Sequence, residues 1–186
     1  MATFGKTDVG DNLNGNIAGN EVGTVRRQAP ANGTVTDIML YVTSNASNAR
    51  VCMFADDANY PGAILDESAS EACVINTWHD FAGFAIPIVQ DNWYWFGLQH
   101  QTTNAVLAYD VEGKTHYKAL AYGAFTDPFP AGANNGVFEY SIYAIYTPSG
   151  GVTPKRMLMG VGLMAKTPKF IARKVVPYKC PLPLFK

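Results

Sequence analysis

The stretch Val137–Thr147, VFEYSIYAIYT, gives the strongest indication of the fold. Every second side chain is apolar, and these residues form one uninterrupted face: Phe138, Tyr140, Ile142, Ala144 and Tyr146. Glu139 and Ser141 mark the opposite face. Because side chains alternate between the two faces of a β-strand, this pattern predicts one long strand with a buried face.

Working outward, further runs of strand length alternate with turn residues: Thr34–Thr43, Arg50–Ala55, Ala63–Glu67, Glu71–Ile75, Trp78–Ile88, Trp93–His100 and Val106–Tyr109. The segment Asp56–Gly62, DDANYPG, predicts a hairpin closed by a long turn. Within Trp78–Ile88 the apolar alternation slips by one residue, which indicates a β-bulge. About eight short strands, without a helical pattern between them, favour antiparallel sheets.

The composition agrees with an all-β protein. The 186 residues include 17 Gly, 11 Pro, 10 Tyr, 10 Phe and 3 Trp, and 48% of the chain is apolar against 16% charged. Glycine and proline suit turns, and aromatic residues suit strands. We therefore predict two antiparallel sheets packed face to face as a jelly-roll β-sandwich. An immunoglobulin-like sandwich is the alternative, although its cysteine and tryptophan spacing is absent.

Charge divides the chain into two parts. Residues 1–149 hold all fifteen acidic residues and six Lys and Arg, whereas residues 150–186 hold eight Lys and Arg and no acid. Between them, Pro148 is followed by Gly150 and Gly151, which favour the end of a strand and a linker. We predict a β-sandwich domain over residues 1–149 and an extended C-terminal arm over residues 150–186.

Several segments carry a resemblance to a known type of module: ANGTVTDI at 31–38, VCMFAD at 51–56, PGAIL at 61–65 and NWYWFGL at 92–98. Together they resemble the jelly-roll sandwich module of bacteriophage virion proteins and bacterial surface proteins, over residues 22–147. The resemblance implies the fold more directly than it implies a function. Members are commonly non-catalytic carbohydrate-binding modules or building blocks of virus particles.

The titratable residues give no pattern of an enzyme. His79, His100 and His116 lie near the ends of predicted strands, without the HxH or HExxH spacing of metal sites. We expect them at the surface or at sheet edges. No serine lies in a Gly-x-Ser-x-Gly motif. The sequence therefore predicts a protein without catalytic activity.

Two groups of residues are candidates for binding a ligand. Aromatic rings can stack on sugars, and four of them form the candidate platform: Trp78, Trp93, Trp95 and Tyr109. Core packing or subunit contact is the alternative role for these rings. Asp56, Asp57 and Asn59 offer oxygen ligands for Ca²⁺, but the same residue types also make tight turns. No other cofactor is indicated.

Cysteines leave one alternative open. Cys52 and Cys73 lie in neighbouring predicted strands, and a disulfide between them, with Cys180 unpaired, is one alternative. The first residues, MATFGKTDVG, lack the basic flank and apolar stretch of an export signal, and no apolar run has the length of a membrane span. Without export, we expect reduced thiols in the core.

The arm combines cations with large apolar side chains. Those that we expect to contact a partner are Lys155, Arg156, Met157, Leu158, Met159, Leu163, Phe170, Ile171, Arg173, Lys174, Tyr178, Leu182, Leu184 and Phe185. Burying such side chains is worth about 1.5 to 3 kcal/mol each. The arm therefore needs an acceptor surface, either on a neighbouring copy, on another protein of the same particle or on its own body.

Other partners fit the arm less well. Nucleic acid would favour a higher density of Lys and Arg, and scattered Gly and Pro interrupt a membrane-surface helix. We predict a non-enzymatic structural protein of a phage particle, as capsid decoration, head fibre or tail component, that assembles through its arm. It would reside in the virion, with the turn Asp56–Gly62 and the loop Thr126–Gly136 on its exposed rim. A carbohydrate-binding module at an extracellular surface is the alternative.

Overall fold

A computed structural model describes residues 1–17, 21–44, 47–101 and 105–150, and this part of the chain is entirely β-structure and loops. Its fourteen strands are β1 Ala2–Gly5, β2 Asn12–Ile17, β3 Glu21–Gln28, β4 Gly33–Ser44, β5 Asn48–Asp57, β6 Tyr60–Glu67, β7 Glu71–Ala72, β8 Thr77–Ile88, β9 Trp93–His100, β10 Ala105–Asp110, β11 Thr115–Ala119, β12 Asn134–Gly136, β13 Glu139–Tyr140 and β14 Ile142–Pro148. Among these residues there is no helix able to cross a membrane. The all-β prediction is confirmed.

The first sheet, sheet A, is built around β4. Leu40 of β4 is paired with Ile142 of β14 on one side and with His79 of β8 on the other. β1 continues the sheet beyond β14, and β10 joins β4 to β2 and β13. All of these pairings are antiparallel, so the sheet follows the predicted type.

The second sheet, sheet B, has the strand order β12-β11-β3-β9-β5-β6, with β7 pairing to β5. Its pairings are antiparallel as well. β9 lies in the middle, between β3 and β5, which explains why seven of its eight residues are buried.

The main core lies between the two sheets. Alternate residues of β4 point into it, and Ile38, Leu40 and Val42 are fully buried. Sheet B contributes Phe96 and Leu98 of β9 to the same cluster, together with residues of β3 and β5. The period-two pattern of these strands therefore identifies the inner face of each sheet.

Three predicted strands are confirmed almost to their ends. β4 covers Thr34–Thr43, and β9 coincides with Trp93–His100. β8 covers Trp78–Ile88, and its pairing with β4 changes register opposite Val35 and Asp37, as a bulge requires. Gly83, with φ of 95°, lies at this irregularity.

The long strand predicted over Val137–Thr147 is wrong in one respect, because it consists of two strands separated at Ser141. β13 pairs with β10, whereas β14 pairs with β4 and β1. At the change of partner, Ser141 donates its N–H to Ala108 and accepts the N–H of Tyr41 at 3.0 Å each. The apolar face nevertheless stays continuous from Tyr140 onward.

The predicted long turn at Asp56–Gly62 is also wrong. Asp57 pairs directly with Tyr60, so only Ala58 and Asn59 form the turn. Their φ angles of 47° and 72° lie in the left-handed region. Two successive left-handed residues match the twist of a tight hairpin, which allows β6 to begin at Tyr60, three residues earlier than the sequence pattern indicates.

The estimate of about eight strands is too low. β1, β2, β3, β11 and β12 were not expected as strands, and the predicted strand Glu71–Ile75 shrinks to β7. β3 lacks alternation because both of its faces are covered, with residues 22–25 all buried. Val74 and Ile75, which follow β7, are exposed.

Cys52 and Cys73 are free and buried. Cys52 lies in a second apolar cluster outside sheet B, whereas Cys73 belongs to the main core between the sheets. Burial raises the pKa of the Cys73 thiol to about 11, which favours its neutral form. The predicted boundary at residue 149 remains a prediction, because the arm residues lie outside the described ranges.

Candidate functional site

The four aromatic residues predicted to form one ligand platform lie in different places. Trp93 lines a cleft and is 40% exposed, whereas Trp95 is fully buried. Trp78 lies on the outer face of sheet A. Tyr109 packs edge-on against Phe138, with ring centroids 5.2 Å apart, at the margin of the main core. The four rings therefore do not form one continuous platform.

The cleft beside Trp93 has a volume of about 460 Å³, within the range of small-molecule sites. Its apolar wall includes Trp93, Leu65 and Pro87, and its polar wall includes Asp91 and Asn92. We call it the Trp93 cleft. An indole beside amide and carboxylate groups combines a stacking surface with groups that hydrogen bond to hydroxyls.

The turn that precedes Trp93 is held in place by backbone hydrogen bonds. Asp91 donates its N–H to the carbonyl of Ala29, and Asn92 accepts the N–H of Ala29, both at 2.9 Å. Asp91 has a φ of 66°, which carboxylate and amide residues tolerate better than most. The polar wall of the Trp93 cleft therefore has a defined backbone position.

Arg26 braces the Trp93 ring. Its guanidinium lies 4.2 Å from the ring centroid and makes two hydrogen bonds to Asp56, at 2.7 and 3.0 Å. A bidentate carboxylate fixes the plane of the guanidinium and so the face of the indole beneath it. The sequence gives no indication of this contact, because Arg26 and Asp56 are thirty residues apart.

Asp56 also anchors the neighbouring strand. The Trp95 indole donates its Nε1–H to Asp56 Oδ1 at 2.7 Å. Burial opposes ionisation of Asp56, but the hydrogen bonds from Arg26 and Trp95 outweigh it, so its pKa lies below the ordinary value. Asp56 is thus an ionised structural group at neutral pH.

The structure gives Asp56, Asp57 and Asn59, the residues predicted to bind Ca²⁺, separate positions and partners. Both carboxylate oxygens of Asp56 face the Arg26 guanidinium, while Asp57 is exposed and pairs its backbone with Tyr60. Among the described residues, no cluster of three acidic, His or Cys side chains could hold a metal ion. Of the three, Asn59 has the alternative role, since it forms the tight turn together with Ala58.

Trp95 is buried because a second apolar cluster covers the outer face of sheet B. Its buried members are Val22, Cys52, Phe54, Trp95, Phe125 and Phe129. The prediction that Trp95 binds a ligand is therefore wrong. Phe129 belongs to the loop Thr126–Gly136, which was predicted to be exposed. The Tyr60 hydroxyl donates a hydrogen bond to the Pro130 carbonyl at 2.6 Å, so part of this loop covers the outer face of sheet B.

The prediction of surface or edge histidines is wrong for two of three. His100 is fully buried at the end of β9, and neither ring nitrogen has a hydrogen-bond partner among the described residues. His116 is 6% exposed and lies between the rings of Trp95 and Tyr60, at 4.9 and 4.6 Å. His79 is partly exposed, 3.2 Å from Glu71.

On the outer face of sheet A, Trp78 contacts two tyrosines that the sequence did not single out. Its ring centroid lies 5.4 Å from Tyr41 of β4 and 4.8 Å from Tyr143 of β14. All three rings are partly exposed. Their common face follows from the pairing of Tyr41 with Trp78, a cross-strand register that no local pattern reveals.

Comparison with known protein families and with curated proteins gives no match to this chain. The predicted arm contacts, from Lys155 to Phe185, lie outside the described residues. Function is therefore inferred from two features, the geometry of the β-structure and the charge division of the sequence.

Proposed function

We propose that this protein is a non-enzymatic structural component of a bacteriophage particle, built as a jelly-roll β-sandwich that assembles through its C-terminal arm. The observation that carries the proposal is the separation of charge between an acidic β-structure and a cationic, apolar extension. Opposite charges on two parts of one chain favour association between copies or with another virion protein.

The strand order supports the jelly roll. In chain order, β1, β3, β4, β5, β6, β8, β9 and β14 form an eight-strand set. Within this set, one sheet has the order β1-β14-β4-β8 and the other has the order β3-β9-β5-β6. Two Greek keys wound into two sheets have this order. Capsid proteins use this fold, but so do lectins, which is why the arm matters.

The composition of the arm supports a role in association. The last described strand, β14, ends at Pro148. The fourteen arm residues predicted to contact a partner follow this point. Burying even half of their apolar side chains would contribute on the order of 10 kcal/mol before ordering costs are subtracted.

Deletion of residues 150–186 tests this proposal. We expect the shortened chain to stay folded and soluble but to lose self-association or incorporation into particles, measured by sedimentation velocity and by co-purification with the particle. Replacing the arm with a Gly/Ser segment of equal length is the control for chain length. A shortened chain that assembles normally would contradict the proposal.

A second candidate function, carbohydrate binding, is favoured by the Trp93 cleft. The indole, held by Arg26 and flanked by Asp91 and Asn92, resembles the combination of stacking surface and hydrogen-bonding groups that recognises sugars. Because one face of the Trp93 ring is occupied by Arg26, a sugar would contact the remaining face and edge.

A glycan array with the full chain tests this candidate. Trp93→Ala should abolish binding, whereas Trp78→Ala, on the other sheet, should leave it unchanged. Trp95→Ala is unsuitable as a binding control because Trp95 is part of the second apolar cluster. Absence of binding by the natural chain to any glycan would remove carbohydrate recognition as a function.

A further inference from the structure

The outer face of sheet A combines partly exposed aromatic rings with two carboxylates. Tyr41, Trp78 and Tyr143 form the ring cluster described above. Asp80 follows Trp78 by two residues on β8, and Asp37 precedes Tyr41 by four on β4, so both carboxylates share the face of the rings. We call these five residues the acidic aromatic patch.

The two carboxylates of the patch lack a cationic partner among the described residues. The described ion pairs of Lys and Arg involve Asp8, Asp56, Asp110, Glu67 and Glu139, and not Asp37 or Asp80. Burial and then repulsion from Asp37 raise the pKa of Asp80, although His79 acts in the opposite direction. Burial and Asp80 likewise raise the pKa of Tyr143. A cation at this position would relieve the repulsion.

The chemistry of the patch selects a cationic side chain with an apolar stem. Lys and Arg place their methylene groups along aromatic rings and their charge beside a carboxylate. A neutral apolar segment would leave Asp37 and Asp80 uncompensated, and an acidic segment would be repelled. The preferred occupant is therefore a peptide segment in which Lys or Arg alternates with apolar residues.

Residues 150–186 of this chain have that composition, with eight Lys and Arg, no acid and many large apolar side chains. We propose that the acidic aromatic patch of one copy is the acceptor for the C-terminal arm of a second copy. This inference rests on the proposed assembly function and adds the surface that receives the arm. Since arm and patch are different surfaces, each copy can both donate and accept an arm, which builds reciprocal dimers, larger rings or open chains of copies.

Charge reversal in the full chain tests the acceptor. Asp37→Lys with Asp80→Lys should weaken self-association by about 100-fold or more, because like charges would then face each other. The control, Asp57→Lys with Glu112→Lys, makes the same charge change at exposed positions outside the patch. It should change the dissociation constant by less than about threefold. Sedimentation velocity over a concentration series measures both.

Mixing provides the decisive comparison. An arm-reversed chain should not self-associate, because its negative arm faces a negative patch. It carries all eight reversals: Lys155→Glu, Arg156→Glu, Lys166→Glu, Lys169→Glu, Arg173→Glu, Lys174→Glu, Lys179→Glu and Lys186→Glu. Mixed with the patch-reversed chain, it should form hetero-oligomers, since each arm then meets a patch of opposite charge. Combining both reversals in one chain should restore homo-oligomers. A doubly reversed chain that stays monomeric, with its arm protected from protease, would instead indicate docking on its own body and would overturn the inference.

The test separates failure of the acceptor from failure of the proposed function. If patch reversal leaves self-association unchanged while deletion of 150–186 abolishes it, the acceptor is elsewhere and the arm still drives assembly. If deletion has no effect, the assembly proposal fails and the acceptor with it. If the natural chain is monomeric at all concentrations but joins particles through its arm, a second copy does not donate the arm to the patch. The assembly proposal then stands, and only the donor is overturned.

Discussion

At the scale of single residues, His100 carries the clearest pH dependence. Burial lowers its pKa to about 4, so the folded protein holds a neutral imidazole. Between pH 6.5 and 4 the unfolded chain binds a proton that the folded chain does not, and the free energy of unfolding therefore falls as the pH falls. The decrease in the free energy of unfolding that comes from His100 is complete below pH 4.

We predict that His100→Phe removes this component. Relative to the variant, the natural protein should lose roughly 3 kcal/mol of stability between pH 6.5 and 4, measured by urea unfolding at several pH values. At neutral pH the variant should be nearly as stable, since it replaces two unpartnered buried nitrogens with apolar atoms. The control variant His79→Gln, at a partly exposed position, should lose as much stability between pH 6.5 and 4 as the natural protein does. Parallel stability curves for His100→Phe and the natural chain would contradict this assignment.

Asp56 and Asp57 are adjacent but differ in their environments. Asp56→Ala would leave Arg26 and the fully buried indole nitrogen of Trp95 without their carboxylate, and we predict a loss of about 2 to 3 kcal/mol. Asp57→Ala, at an exposed position, should change the free energy of unfolding by less than about 0.5 kcal/mol. Denaturant titration of the two variants measures the difference, and equal losses would refute the structural role of Asp56.

At the scale of elements, a substitution in the turn of the β5–β6 hairpin is expected to increase stability. Ala58 occupies the left-handed region, where its Cβ is unfavourable and glycine is not. Ala58→Gly should therefore stabilise the protein by about 0.5 to 1 kcal/mol. Ala63→Gly, at an exposed position within β6, should destabilise it by a similar amount. A loss of stability in both variants, seen by thermal unfolding, would rule out the turn geometry.

β4, β8 and the aromatic-rich β9 were predictable from the sequence, and β3 was not. β4 alternates along its length and β8 alternates on either side of its bulge, so their limits and the bulge in β8 could be read from the sequence. β3 escaped because Val22 faces the second cluster while Val25 faces the main core, which removes alternation. The contact of the Arg26 guanidinium with the Trp93 ring could not be predicted from the sequence, because it depends on strands that are brought together only in sheet B.

At the scale of the whole molecule, we predict that the β-structure is thermodynamically independent of the arm. Residues 1–149 and the full chain, compared at low and equal protein concentration, should unfold with the same urea midpoint and slope, because residues 2–148 supply the strands of both sheets and the arm is proposed to bind a second copy. A midpoint lowered clearly by the deletion would mean that the arm contributes to the folded body.

The pairing of β1 with β14 sets an order of events during synthesis. Ala2 lies opposite Tyr146, and the ring centroids of Phe4 and Tyr146 are 5.8 Å apart, so β1 is translated long before its ladder partner β14. Sheet A cannot be completed before β14 has been translated. Until that moment the nascent chain carries an open strand edge at β4, which gives chaperones a defined interval in which to bind.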